Sequence, residues 1–178
     1  MDFNDYEKLI TNRQSCRNYD GAPVCEEDIA RCLEAARLAP SACNAQPYHI
    51  FVCTGATAGS VAAATQGAGM YKFTSNVPCF FVIAEAEYNA TAAAGSRLKN
   101  QDYRSVDIGI AALQLCLCAS SLGLSTCILG WFDEKKLQKL LGTTAHIRLA
   151  IALGHAAPDD ALREKKRKST DRIATFLG

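Results

Sequence analysis

Pro40-Ser41-Ala42-Cys43-Asn44-Ala45-Gln46-Pro47 separates a helix-like segment from a strand-like one. Two prolines with small polar residues between them make poor helix material, but they present donors and acceptors well to a flat polar ring. Upstream, residues 26–38 open with Glu26, Glu27 and Asp28, which suit the positive end of a helix dipole. Ile29, Leu33 and Ala36 mark the inward face of that helix, and Pro40 stops it. Downstream, Tyr48-His49-Ile50-Phe51-Val52-Cys53 reads as a strand.

Further toward the start, Asn4 with Glu7 three residues on resembles a capped helix entry, and that helix is expected to bury Tyr6, Leu9 and Ile10. It ends at Arg13-Gln14-Ser15-Cys16-Arg17, where two guanidinium groups flank a hydroxyl and can clamp a phosphate. Near the other end, Lys165-Lys166-Arg167-Lys168 offers a second set of cations. The clamp, the polar loop and the basic run together point to a bound phosphorylated heterocycle.

In the middle of the chain, residues 57–66 read as a helix broken by Gly67 and Gly69, and Pro78 opens a strand at Cys79-Phe80-Phe81-Val82-Ile83-Ala84. Residues 87–100 are polar and rich in Ala and Gly, without a clear period, and are expected to run over the surface as a lid. Residues 103–122 form the longest helix, apolar nearly all round from Ile108 to Ala119. The run is shorter than the ~20 residues a bilayer needs and contains Gln114, so burial in a core or between subunits is expected instead. A strand at 125–130, a helix capped by Asp133, a strand at 147–153 and a last turn capped by Ser169 complete residues 1–178 as one domain.

The composition is that of an ordinary globular protein, with 49% hydrophobic and 21% charged residues. A net charge of +1 supplies no bulk attraction to nucleic acid or to an anionic membrane, and no aromatic residues are interleaved with the basic run. The acidic start, Met1-Asp2-Phe3-Asn4-Asp5, lacks the regions of a signal peptide. Nine cysteines without a Cys-x-x-Cys spacing, mostly inside apolar runs, read as buried small hydrophobes in a reducing cytoplasm. Three scattered histidines offer no zinc spacing, so no metal is expected.

The ordered motifs resemble the nitroreductase family. They are the Arg-x-Ser-x-Arg cluster, the Pro-Ser-x-x-Asn-x-Gln-Pro loop before Tyr48 and His49, Asp107-Ile108-Gly109, Leu122–Phe132, Leu153-Gly154-His155 and the late Arg167-Lys168. The likeness runs from Tyr6 to Ile173 and is nearest to short, anaerobe-type members. It implies an α+β fold with a central, mainly antiparallel four-stranded sheet flanked by helices, in an intertwined homodimer with FMN at the interface. It also implies an oxidoreductase that takes hydride from NADH or NADPH and passes electrons to a nitroaromatic, quinone or similar acceptor.

On this resemblance, Arg13, Gln14, Ser15 and Arg17 would meet the FMN phosphate and ribityl chain, closed from the other side by Arg167, Lys168 and Lys165. Pro40, Ser41, Ala42, Asn44 and Gln46 would face the flavin of the partner subunit. Cys127, Ile128, Leu129 and Gly130 would lie beside the ring. Many members carry an acidic residue where this chain has Leu129. No catalytic acid or base is nominated, because the cofactor carries the hydride. Similar scaffolds also perform dehalogenation, oxidative tailoring or flavin breakdown; the other readings are a non-catalytic flavin binder and a thiol-redox protein that depends on Cys43 or on the Cys116/Cys118 pair.

Overall fold

The computed structural model describes residues 2–178, and a four-stranded sheet lies at its centre. Its strands are β1 (Tyr48–Thr54), β2 (Cys79–Glu85), β3 (Ser125–Leu129) and β4 (Ile147–Gly154). They are hydrogen-bonded in the order β1-β2-β4-β3, and every pair is antiparallel. Val52 stands opposite Phe81, Phe81 opposite Ile151, and Ile151 opposite Ile128.

The two central strands are covered on both faces, which is why β2 is apolar at every position from Cys79 to Ala84. Phe80, Val82 and Ala84 pack with Val61 and Ala62 of α3 (Gly55–Thr65) and Leu137 of α6 (Glu134–Leu141). Phe81 and Ile83 face the other way, against Ile29 and Cys32 of α2 (Glu26–Arg37) and Ala111 and Leu115 of α5 (Tyr103–Ser121). Each of these large side chains contributes about 1.5–3 kcal/mol through burial. The result is the expected α+β arrangement, with an antiparallel sheet between two helical layers.

Helix α1 (Phe3–Asn12) departs from its expected form. Its cap is Asp2, not Asn4: Asp2 accepts from the Asp5 amide at 2.9 Å while Asp5 accepts from the Asp2 amide at 3.3 Å. The helix touches α5, yet none of its residues is buried; Tyr6 is 44% and Ile10 40% exposed. Helix α5 turns Ile108, Ala111, Leu115 and Ala119 to the sheet and leaves Val106 and Leu113 exposed. The apolar stripes of both helices therefore extend onto the outside of the chain.

Residues 87–100 are also more ordered than expected. Helix α4 (Ala90–Lys99) starts where the Asn89 side chain accepts from the Ala92 amide at 2.8 Å and ends at Asn100 in the left-handed region. Its alanines hide the apolar period because Ala92 alone is buried. Asp133 caps α6 as read, accepting from the Lys136 amide at 3.1 Å, whereas Ser169 makes no side-chain cap to the turn Thr170–Arg172.

Candidate functional site

After α1 the chain passes along the outer edge of β3. Ser15 forms a parallel bridge with Thr126, and the Cys16 amide donates to the Thr126 carbonyl at 2.9 Å. This pairing sets Arg13, Gln14, Ser15 and Arg17 in a row beside the strand. The tail leaving β4 is brought to the same row by a second bridge, Tyr19 to Ala156, and by Asn18 donating to Asp159 at 2.7 Å.

Gln14 then ties the tail down. Its side-chain NH2 donates to the Ala161 carbonyl at 3.2 Å, and its Oε1 accepts from the Arg163 amide at 3.1 Å. Arg163 donates to Asp160 at 2.9 Å and to the Ser15 carbonyl. Lys165 Nζ donates to the Arg13 carbonyl at 2.7 Å. The cavity so formed, of about 160 Å³, gathers Arg13, Arg17, Arg163, Lys165 and Arg167 around Ser15, with Glu164 the one carboxylate in its lining.

The electrostatics of this cavity favour an anion. Burial, followed by repulsion from Arg13, Arg167 and Arg163, holds the Lys165 amine below its ordinary pKa. Arg17 makes no ion pair and no side-chain hydrogen bond among the described residues, so its guanidinium remains open to a ligand. A phosphate carries between one and two negative charges near neutrality and accepts charge-assisted bonds from such a set. The donor set thus fits the phosphate of FMN.

The residues expected beside the ring continue along β3 from this cavity. Ile128 is 41% exposed and Gly130 is open. Leu129 is buried with Leu137 and Ala150, so only its backbone can reach a ligand. Burial raises the Cys127 thiol, opposed chiefly by the charge of Arg17.

The Pro40–Pro47 loop lies elsewhere. It precedes β1, at the far edge of the sheet, and joins that strand at the Tyr48 end, whereas Thr126 lies level with Thr54 at the other end. Four strand spacings across the sheet and seven residues along it separate Ser15 from Pro47 by roughly 30 Å. One copy of the chain does not bring both groups to a single ligand. The loop itself is tightly specified: Cys43, Asn44 and Gln46 have φ of 52°, 51° and 45°. Ser41 Oγ accepts from the Gln46 amide at 3.0 Å, and the Gln46 side chain donates to Asn44 at 3.1 Å.

Two participants escaped the sequence reading. Arg163 stands just before the basic run at 165–168, and its spacing of three from Asp160 is the sequence signal that marks it. Asp107 was noted for its motif alone, although a lone carboxylate in an apolar helix stands out. Lys168, nominated with its neighbours, is exposed and does not line the cavity.

Comparison with known proteins points in one direction. The model of the nitroreductase family matches residues 10–155. A protein of Archaeoglobus fulgidus whose name joins NADH dehydrogenase and NAD(P)H nitroreductase is 30% identical, over 93% of this chain and 94% of its own. An oxygen-insensitive NADPH nitroreductase of Helicobacter acinonychis is 26% identical over 99% of this chain and all of its own. Among solved structures, the FMN-dependent nitroreductase NfnB of Mycobacterium smegmatis, crystallised with NADPH, superposes with a TM-score of 0.81. It is 19% identical, and the match covers 98% of this chain and 99% of that one. At that identity the likeness speaks for the fold alone. The matched range ends before the basic tail that closes the cavity.

Proposed function

Because this chain belongs to the nitroreductase family, we propose that it is an FMN-dependent oxidoreductase passing electrons from NADH or NADPH to a nitroaromatic, quinone or similar small acceptor. The observation that carries this reading is the cavity at the edge of β3, where five cations converge on a space of about 160 Å³. FMN, when bound, supplies the two-electron chemistry, and the protein supplies binding and orientation. Arg13, Arg17, Lys165 and Arg167 hold the phosphate, and Arg163 holds the tail that carries two of these groups. Ile128 and the backbone at Leu129 and Gly130 form the wall beside the ring. No side chain of the site is assigned as acid or base.

The protein functions in this reading as a homodimer in the cytoplasm, with Pro40, Ser41, Ala42, Asn44 and Gln46 of one copy facing the ring held by the other. The wide separation of loop and cavity within one chain supports this. So do the exposed Tyr6, Ile10, Val106 and Leu113 on α1 and α5, and the exposed Phe176 and Leu177 in the tail. Nine thiols, none in a disulfide among the described residues, suit a reducing compartment.

The test is a visible spectrum of the purified protein mixed with FMN, followed by anaerobic NADH or NADPH. A flavin spectrum that is bleached by a nicotinamide and restored by a nitroaromatic is expected. A protein that binds no FMN overturns the reading, and one that binds it without reduction by either nucleotide is a flavin carrier instead.

A further inference from the structure

Asp107, on the first half of α5, is 2% exposed and packed beside a layer of Ile, Ala and Cys side chains. Its Oδ1 accepts from the Ala42 amide at 3.1 Å, its Oδ2 has no hydrogen-bond partner, and no cation pairs with it among the described residues. Placing a carboxylate there without a cation is costly. The carboxylate must therefore be read through its one bond, which reaches the Pro40–Pro47 loop.

That loop needs an anchor. Cys43, Asn44 and Gln46 all occupy the left-handed region, which is unfavourable for residues with a Cβ. Its remaining ties are weaker supports. Ser41 to Gln46 is internal to the loop, Asn89, which donates to the Cys43 carbonyl at 3.2 Å, belongs to the exposed cap of α4, and the Ala86 amide, which donates to the Pro47 carbonyl at 3.0 Å, holds only the last residue before β1. The bond from Ala42 to Asp107 fastens the loop to a buried helix.

We propose that Asp107 is a positioning residue: by holding the Ala42 N–H it fixes the conformation in which Pro40–Gln46 meets the flavin ring. The inference rests on the reading of this loop as a flavin contact. It separates two kinds of contribution to cofactor binding, the cation cavity acting on the phosphate and Asp107 acting, through the loop, on the ring.

Titrations of FMN and of riboflavin, which lacks the phosphate, into wild type, D107L, D107N and A42P test the proposal. Asp107→Leu should weaken both flavins by the same factor, roughly 10- to 100-fold, the scale of leaving a buried hydrogen-bond donor without its partner. Asp107→Asn keeps an oxygen acceptor and should restore most of the affinity. Ala42→Pro removes the donor where Ser41 is already extended (φ −143°, ψ 155°), as a residue before proline must be, and should reproduce the loss. The double variant D107L/A42P should bind no worse than either single one.

Wild-type affinity in D107L, or losses that add in the double variant, would overturn the assignment. If D107L does not fold, A42P decides: an equal loss for both flavins supports the anchor, and unchanged affinity refutes it. A wild-type protein that binds neither flavin overturns the functional reading on which the proposal stands.

Discussion

Replacing Arg17 with alanine gives the cleanest test of the cation cavity. Arg17 lines the cavity yet has no ion-pair or side-chain hydrogen-bond partner among the described residues. Removing it breaks no bond of the protein and reduces repulsion within a cluster of five cations, so the ligand-free melting temperature should stay level or rise slightly. With FMN the effect should be large. A charge-assisted bond is worth about 1.5–3 kcal/mol, or roughly a 10- to 150-fold rise in Kd. In thermal-shift assays at fixed FMN concentration, a loss of about 2 kcal/mol in ligand stabilisation lowers the shift by about 4–8 °C for a chain of this size. Riboflavin, without the phosphate, should bind both proteins alike. The reasoning fails if Arg17→Ala binds FMN as wild type does, or loses riboflavin to the same degree.

Lys165 makes the same cavity pH-sensitive. Its folded pKa lies below the unfolded value, so the unfolded chain holds more protons between the two and ligand-free stability rises with pH across that window. A bound phosphate favours the charged amine, so FMN affinity should fall as pH rises into the alkaline range. Lys165→Arg should flatten the curve, and an equally steep curve in that variant would contradict the assignment. Gly154→Ala should destabilise the protein by about 1–3 kcal/mol on the scale of core overpacking. Its Cβ would lie 2.8 Å from Pro78 and 3.0 Å from Tyr19; an unchanged melting temperature would show that those rings can move. Burial pushes the Cys16 and Cys53 thiols to about 11 and Cys79 to about 12, whereas Cys25 and Cys43 are exposed. Native alkylation read by mass spectrometry should modify Cys25 and Cys43 first, and early labelling of Cys79 would refute the packing of β2.

The local elements were readable where a physical signal is carried by neighbouring residues. Pro40, Asp133 and the glutamates at 26 and 27 mark helix ends through capping and dipole effects, and the apolar run of β2 announces a strand covered on both faces. Helix α4 was missed because alanine has high helix propensity but draws no apolar stripe when the helix lies on the surface. The burial expected of Tyr6 and Ile10 was read from a genuine stripe, yet a stripe does not say which surface covers it. Arg163 and Asp107 show the same limit within the site. One is given its role by Gln14 and Asp160, and the other by the amide of Ala42, a partner 65 residues away.

Residue chemistry alone thus marked the parts: a basic cluster, a polar loop, a basic run, and helices and strands along the chain, while the antiparallel α+β arrangement came from the family resemblance. How these parts stand toward one another was a matter of register, which depends on contacts between residues far apart in the chain. The pairing of Ser15 with Thr126 and the fastening of the tail by Gln14 draw two basic segments around one cavity. The strand order β1-β2-β4-β3 sends the polar loop to the opposite corner. Local propensities carry no record of either arrangement, because both are stabilised by hydrogen bonds and burial that exist only once the sheet has closed.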